Sequence, residues 1–93
     1  MKSEKVIQTQ IIKWLENQPN TFVFKTIQCN KNGIPDIIAC INGKFVAIEA
    51  KREIGGVVSE VQKYQIKNIE KANGIAFVAR SLEEVKNGLK TIL

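Results

Sequence analysis

The stretch Asp36-Ile-Ile-Ala-Cys-Ile-Asn-Gly-Lys-Phe-Val-Ala-Ile-Glu-Ala-Lys51 decides the fold. Two apolar runs flank Asn42-Gly43. That dipeptide is the strongest short-range hairpin signal, because a type I′ turn needs positive φ at both central residues. A two-residue turn sets the register: Ile41 faces Lys44, Cys40 faces Phe45, and the pairing continues outward until Asp36 faces Glu49. Directly opposed residues point to one face, with Cβ atoms about 4.5–5.5 Å apart. Alternation along the second strand puts Lys51 on the face of Glu49 and Ala50 on the other. Two carboxylates and one ammonium therefore converge at one end of an apolar hairpin. Both runs are apolar on both faces away from their ends, which predicts central strands covered on each side.

Outward from the hairpin, the rest of the chain supplies the covering layers. Residues 4–18 carry Ile7, Ile11, Trp14 and Leu15 at helical spacing, with Ser3 as N-cap and Pro19 as a stop. Trp14, on the apolar stripe, is expected in the core or in a contact with a second copy. The run from Phe22 to Ile27 is aromatic and β-branched, hence a strand. Residues 28–35 form a polar loop containing Gly33 and Pro35. After a loop with Gly55-Gly56, Ser59-Glu-Val-Gln62 is a capping box that opens a helix to about Ala72, with Gly74 as its end. Tyr64 is expected between that helix and the sheet. Ile75–Ala79 reads as a buried strand. Ser81-Leu-Glu-Glu84 is a second capping box, before a last helix with Val85, Leu89 and Ile92 as its apolar stripe. The predicted architecture is α/β, with a mixed central sheet and the order α-β-β-β-α-β-α in a single domain spanning residues 1–93.

Composition limits the chemistry. The 93 residues contain no His. That excludes a His general base, Ser-His or Cys-His nucleophile pairs and His-ligated metal sites. The only two cysteines, Cys29 and Cys40, are at neither zinc nor disulfide-framework spacing, and Cys40 in its apolar run reads as a buried thiol. The N-terminal residues turn amphipathic at once, without the apolar core of a signal peptide. No apolar run approaches the roughly 20 residues needed to cross a membrane, so the expected location is the cytoplasm. Fourteen Lys+Arg against nine Asp+Glu leave a net charge of +5, which suits a polyanionic partner such as DNA.

Asp36 is the only Asp in the chain. Opposed like charges are destabilising unless something neutralises them, so Asp36→Asn is expected to leave the metal-free fold as stable or more so, by about 0.5–1 kcal/mol. Two carboxylates with no soft donor nearby suit Mg²⁺ or Mn²⁺. Lys51 can orient a water or stabilise charge developing on a phosphate. The plainer alternative is a surface ion pair of Glu49 with Lys51, contributing about 0–1 kcal/mol. With eight Glu and twelve Lys, Glu-x-Lys recurs by chance, as Glu84-Val-Lys86 shows. Only the Glu49 pair, however, has a carboxylate opposite.

Gly33-Ile-Pro-Asp36 followed by Glu49-Ala-Lys51 resembles the PD-(D/E)xK nuclease signature. With Glu4 on the preceding helix and Gln62 on the helix after Gly55-Gly56, the set resembles more narrowly the VRR-NUC branch, in its small stand-alone phage-type form. The resemblance implies a restriction-endonuclease-like αβββαβ core followed here by one more helix. It implies a Mg²⁺- or Mn²⁺-dependent DNA endonuclease with Asp36, Glu49 and the Ala50 carbonyl as metal ligands and Lys51 as the catalytic lysine. Glu4 and Gln62 would complete the site, although Glu4 also suits the helix dipole and Gln62 also closes the capping box. The resemblance further implies a homodimer and a preference for branched or junction DNA, with the cytoplasm being that of a bacterial host if the protein is phage-encoded. Lys31, Lys44, Arg52, Lys63 and Lys67 are candidate phosphate contacts. The alternative function is a non-catalytic DNA-structure-binding module on the same fold.

Overall fold

The computed structural model describes all of residues 1–93. Helix α1 spans Glu4–Glu16, followed by strands β1 (Thr21–Lys25), β2 (Ile37–Ile41) and β3 (Lys44–Ala50). Helix α2 (Glu60–Lys71), strand β4 (Ile75–Ala79) and helix α3 (Leu82–Gly88) complete the chain. The sheet order is β1-β2-β3-β4, antiparallel between the first three strands and parallel between β3 and β4. The α/β class and the element order are those expected. The first helix is shorter by two residues, ending at Glu16 before the Asn17 C-cap. Strand β1 starts one residue earlier and stops at Lys25, leaving Thr26 and Ile27 in the loop. The last helix stops at Gly88, so Leu89 serves as its C-cap and Ile92 lies beyond it.

The turn at Asn42-Gly43 has φ of 52° and 81°, as a type I′ hairpin requires. It sets Ile41 opposite Lys44 and Cys40 opposite Phe45, the register the dipeptide predicts. Ser59 caps α2 with both bonds of the capping box in place. Ser81 caps α3, but the Glu84 carboxylate accepts from Arg80 N–H instead of from the N–H of the cap residue.

Pleating sorts the side chains into two layers. Ile37, Ala39 and Ile41 of β2 and Val46, Ile48 and Ala50 of β3 share one face. They form the core with Ile7, Ile11 and Leu15 of α1 and Val85 and Leu89 at the end of the chain. Trp14 packs half-buried at the edge of this core, with the Lys86 ammonium 5.6 Å from its ring centroid. Val85 and Leu89, from the stripe expected of the last helix, are thus buried within the chain.

The opposite face is covered only in part, because α2 lies against β4. Over β1, β2 and β3, Phe22 faces Cys40, which faces Phe45. Phe22 is 69% exposed, Phe45 48% and Cys40 exposed. The prediction that both hairpin strands are covered on each side therefore holds for the inner half of β3 but not for β2. Apolar composition alone does not distinguish a covered face from one left open. Cys40 is consequently a surface thiol, and Tyr64, expected under α2, is 62% exposed on its outer side. No helix is long and apolar enough to cross a membrane.

Candidate active site

The regular ladder between β2 and β3 ends at Ile37 opposite Ile48, so Asp36 and Glu49 stand at the next rung, at the open end of the sheet. Asp36 stays tied to β1, its carbonyl accepting from Thr26 N–H at 2.9 Å. Its side chain turns into the gap between the strand ends. Oδ1 accepts from Ala50 N–H at 2.9 Å, and Oδ2 accepts from Gln8 Nε2 of α1 at 2.7 Å. Both oxygens of Asp36 are held, which the opposed-charge expectation for Asp36→Asn did not include. That substitution also exchanges an acceptor for an amide and disturbs two hydrogen bonds.

Continuing the register one more rung places Pro35 opposite Ala50. In an antiparallel ladder this pair would exchange two hydrogen bonds. A proline has no N–H to offer, so the Ala50 carbonyl has no ladder donor from β2, and Ala50 N–H goes to the Asp36 carboxylate instead. The residue before Asp36 thus frees a backbone oxygen beside the two carboxylates. On the other edge, Lys51 N–H continues the pairing with β4 by donating to Ala79 at 3.0 Å.

Glu49 is buried, its side chain 5% exposed. Oε2 accepts from Gln62 Nε2 at 3.1 Å and lies 3.4 Å from Lys51 Nζ. Burial pushes the Glu49 carboxyl from 4.5 up to about 7, with the neighbouring Asp36 charge adding to the rise. Lys51 offsets part of it by its charge and its hydrogen bond, and Glu4 adds a smaller rise. Glu4 is thus close enough to be felt, although it is solvent-exposed at the start of α1. Gln62 serves two partners at once: its Oε1 accepts from Ser59 N–H and its Nε2 donates to Glu49. Its amide therefore closes the capping box and also touches Glu49.

The loop before Asp36 is fastened from three sides. Thr26 Oγ1 donates to the Pro35 carbonyl at 3.0 Å, and Gln65 of α2 donates to Asn32 at 3.0 Å. Gly33, at φ +78°, passes so close to α2 that a Cβ there would meet the Val61 carbonyl carbon and oxygen at 2.8 Å. The glycine lets the loop seat against the turn of α2 that carries Gln62.

No three His, Cys, Asp or Glu side chains come together in a metal-binding group. The oxygens at this strand end are those of two neighbouring carboxylates and, by extension of the register, the Ala50 carbonyl. All are hard oxygens, suited to a small divalent cation that keeps several waters. Of the candidate phosphate contacts, Lys63 and Lys67 line a shallow groove on α2 with Glu60, Val61 and Tyr64. Lys63 also pairs with Glu60 at 3.2 Å on the exposed helix surface. Arg52 donates to the Gly55 carbonyl at 3.2 Å, closing the glycine loop, and lines a surface cavity of about 590 Å³ together with Lys2, Ser3 and Glu4. Lys31 is exposed on the loop before Asp36. Lys44 opens β3 at the hairpin end, about 17 Å along the strand from Glu49 at roughly 3.3 Å per residue, so the structure does not bring it to the carboxylates.

Gln8 was not among the residues the sequence singled out. Its signal was available: Glu4, Gln8, Ile11 and Leu15 follow one helical stripe, so Gln8 is a polar residue on the side of α1 that enters the core.

No family model matches the sequence, and no curated protein matches it. Among solved structures, a "VRR_NUC domain protein" is similar to this chain with a TM-score of 0.80. The likeness covers 98% of this chain and 88% of that one, at 21% sequence identity. The chain has the VRR-NUC fold. On this fold the carboxylate pair sits where the two layers meet at the open end of the sheet. Helix α1 reaches Asp36 from one layer and α2 reaches Glu49 from the other. Chemically, the arrangement offers hard oxygen ligands, a nearly buried ammonium and an open rim carrying Glu4.

Proposed function

We propose that the protein is a Mg²⁺- or Mn²⁺-dependent endonuclease that hydrolyses phosphodiester bonds in DNA. The observation that carries this reading is the meeting of Asp36, Glu49 and the unladdered Ala50 carbonyl with Lys51 at one end of the sheet. A bound divalent ion would supply a Lewis acid there, making water more acidic and offsetting phosphate charge. Asp36, Glu49 and the Ala50 carbonyl are the groups that would hold it. Lys51 keeps two ammonium protons beyond the one directed at Glu49. These orient the attacking water or stabilise the negative charge that builds on the phosphate oxygens as the new P–O bond forms and the in-line P–O bond breaks. Gln62 holds Glu49 in place, and Glu4 lies at the rim. Lys31, Arg52, Lys63 and Lys67 are the cations nearest in kind to phosphate contacts, with Lys44 at the far end as a remote one.

The finer reading is a homodimer acting on branched or junction DNA, with one site for each strand. The surface that supports it is the uncovered face bearing Phe22, Phe24 and Phe45, since a row of exposed aromatics on a sheet is unusual on a monomer. The test is incubation with supercoiled plasmid and Mn²⁺, followed by a panel of linear duplex, flap, splayed-arm and four-way-junction DNA. Nicking that disappears with EDTA and in Asp36→Asn is expected, with branched substrates cut faster than linear duplex. DNA binding without cleavage, indifferent to metal, would make the protein a DNA-structure-binding module instead. Equal rates across the panel would remove the structure-specific part.

A further inference from the structure

Gln8 is buried, 8% exposed, among Ile7, Ile11 and Leu15 on the buried stripe of α1. It caps nothing and makes no local bond; its Nε2 spans 28 residues of sequence to reach Asp36 Oδ2. We propose that Gln8 is a positioning residue that holds Asp36 oriented as a metal ligand. The proposal rests on the metal-dependent nuclease reading.

A buried amide is costly unless bonded, and the bond Gln8 makes is short for an N–H···O contact, at 2.7 Å. That is the length of a charge-assisted bond. Carboxylate oxygens accept, and it is the amide nitrogen of Gln8 that faces Oδ2. With Ala50 N–H on Oδ1 and Gln8 on Oδ2, the carboxylate of Asp36 is fixed at both oxygens. Each oxygen still has a second lone pair for a cation. A neutral donor suits this place: a Lys or Arg would orient Asp36 equally well but would cancel the charge that attracts the cation. Glu49 receives the matching contact from Gln62 on the other layer. The two carboxylates of the site are therefore each held by an amide, one from each helix layer. Gln8 has a second consequence, because Glu4 lies one turn earlier on the same side of α1. The bond that holds Asp36 also fastens the turn that brings Glu4 over the rim.

The competing explanation is that Gln8 merely docks α1 onto the sheet. Mn²⁺ binding, measured by calorimetry on the wild-type chain, Gln8→Met, Gln8→Asn and Ile11→Val, separates the two. Met keeps the bulk of Gln8 without the donor. Asn keeps the amide but withdraws it by one methylene. Ile11→Val loosens the same helix without touching Asp36. Removing the partner of a metal ligand weakens metal affinity by about 10–100-fold. That loss is expected in both Gln8 variants, with wild-type affinity in Ile11→Val and with cleavage recovering at saturating Mn²⁺. Unchanged affinity in whichever Gln8 variants fold, or an equal loss in Ile11→Val, would overturn the proposal while leaving the nuclease reading intact. A wild-type chain that neither binds Mn²⁺ nor cuts DNA would overturn both.

Discussion

Glu49 makes the metal-free protein less stable as pH rises, and the size of the effect follows from its surroundings. Its carboxyl moves from 4.5 to about 7 because it is buried beside Asp36. The folded protein therefore binds this proton more tightly than the unfolded chain does. Where the native state binds more protons, stability falls as pH rises. The contribution is fully present below about pH 4.5, is lost progressively up to about pH 7 and is constant above it. The interval corresponds to about 3 kcal/mol, at roughly 1.4 kcal/mol for each tenfold change. With the side chain only 5% exposed, solvent does little to screen it. This is a large part of the roughly 5–15 kcal/mol that holds a typical domain together. Glu49→Gln removes the charge while keeping an oxygen for Gln62. Urea denaturation in EDTA at about pH 4.5 and about pH 8 tests the reasoning. The wild type should lose about 3 kcal/mol across that interval. Glu49→Gln should be nearly flat, and more stable than the wild type at the upper pH. A wild type equally stable at both, or a Glu49→Gln variant that is weaker at about pH 8, would refute the convergence of Asp36 and Glu49 at a buried site.

Mn²⁺ should raise the melting temperature of the wild type, because a ligand bound only by the folded state stabilises it, and should do so much less in Asp36→Asn. Equal rises in both would remove Asp36 from the ligand set. Gly33→Ala should cost about 1–3 kcal/mol in urea denaturation, since it combines a left-handed backbone with a Cβ at 2.8 Å from the Val61 backbone. A neutral result would mean that the loop before Asp36 is not seated against α2. Cys40 should react with a thiol reagent more slowly than Cys29 at high protein concentration and equally fast on dilution, because it lies between Phe22 and Phe45 on the face assigned to a second copy. Equal rates at all concentrations, with a 10.4 kDa species in light scattering, would leave that face uncovered and the dimer without support.

The parts of this fold legible in the sequence are those governed by local chemistry. Asn42-Gly43 has few alternatives to a tight hairpin, and a tight hairpin leaves only one register, so the pairing from Ile41–Lys44 to Ile37–Ile48 could be reached from the dipeptide alone, whereas Asp36, beyond that ladder, turns toward Ala50 N–H and Gln8 instead of standing on one face with Glu49. Ser59 and Gln62 announce a helix start because the capping box lies within four residues. What the sequence did not carry was the extent of each layer. An apolar strand looks the same whether a helix covers it or not, and α2 covers the β4 side and leaves Phe22, Cys40 and Phe45 bare. For the same reason Cys40 and Tyr64 were misplaced: their burial depends on where a helix comes to rest, which is decided by contacts distant in the chain.

Within the site the same division separates Gln8 from Asp36. Asp36 is placed by a turn six residues away. Gln8 meets it only once α1 has packed Ile7, Ile11 and Leu15 onto the far side of the sheet. A polar residue in an apolar helical stripe marks a buried partner without naming it, and several strand-end groups lie within reach of such a stripe. Pro35 resolves which. Without an N–H it gives the Ala50 carbonyl no ladder donor, and its own carbonyl accepts from Thr26 Oγ1, while Ala50 N–H goes to the Asp36 carboxylate in the gap between strand ends that α1 closes from one side. Pro35, Asp36, Ala50 and Gln8 thus form one device: an interrupted ladder whose unpaired Ala50 N–H is taken up by a carboxylate, and a helix amide that holds the carboxylate there. Restoring an N–H opposite Ala50, as Pro35→Ala would, should let the ladder run on, compete for the Ala50 carbonyl and weaken Mn²⁺ binding. If affinity is unchanged in that variant, the freed carbonyl is not part of the ligand set.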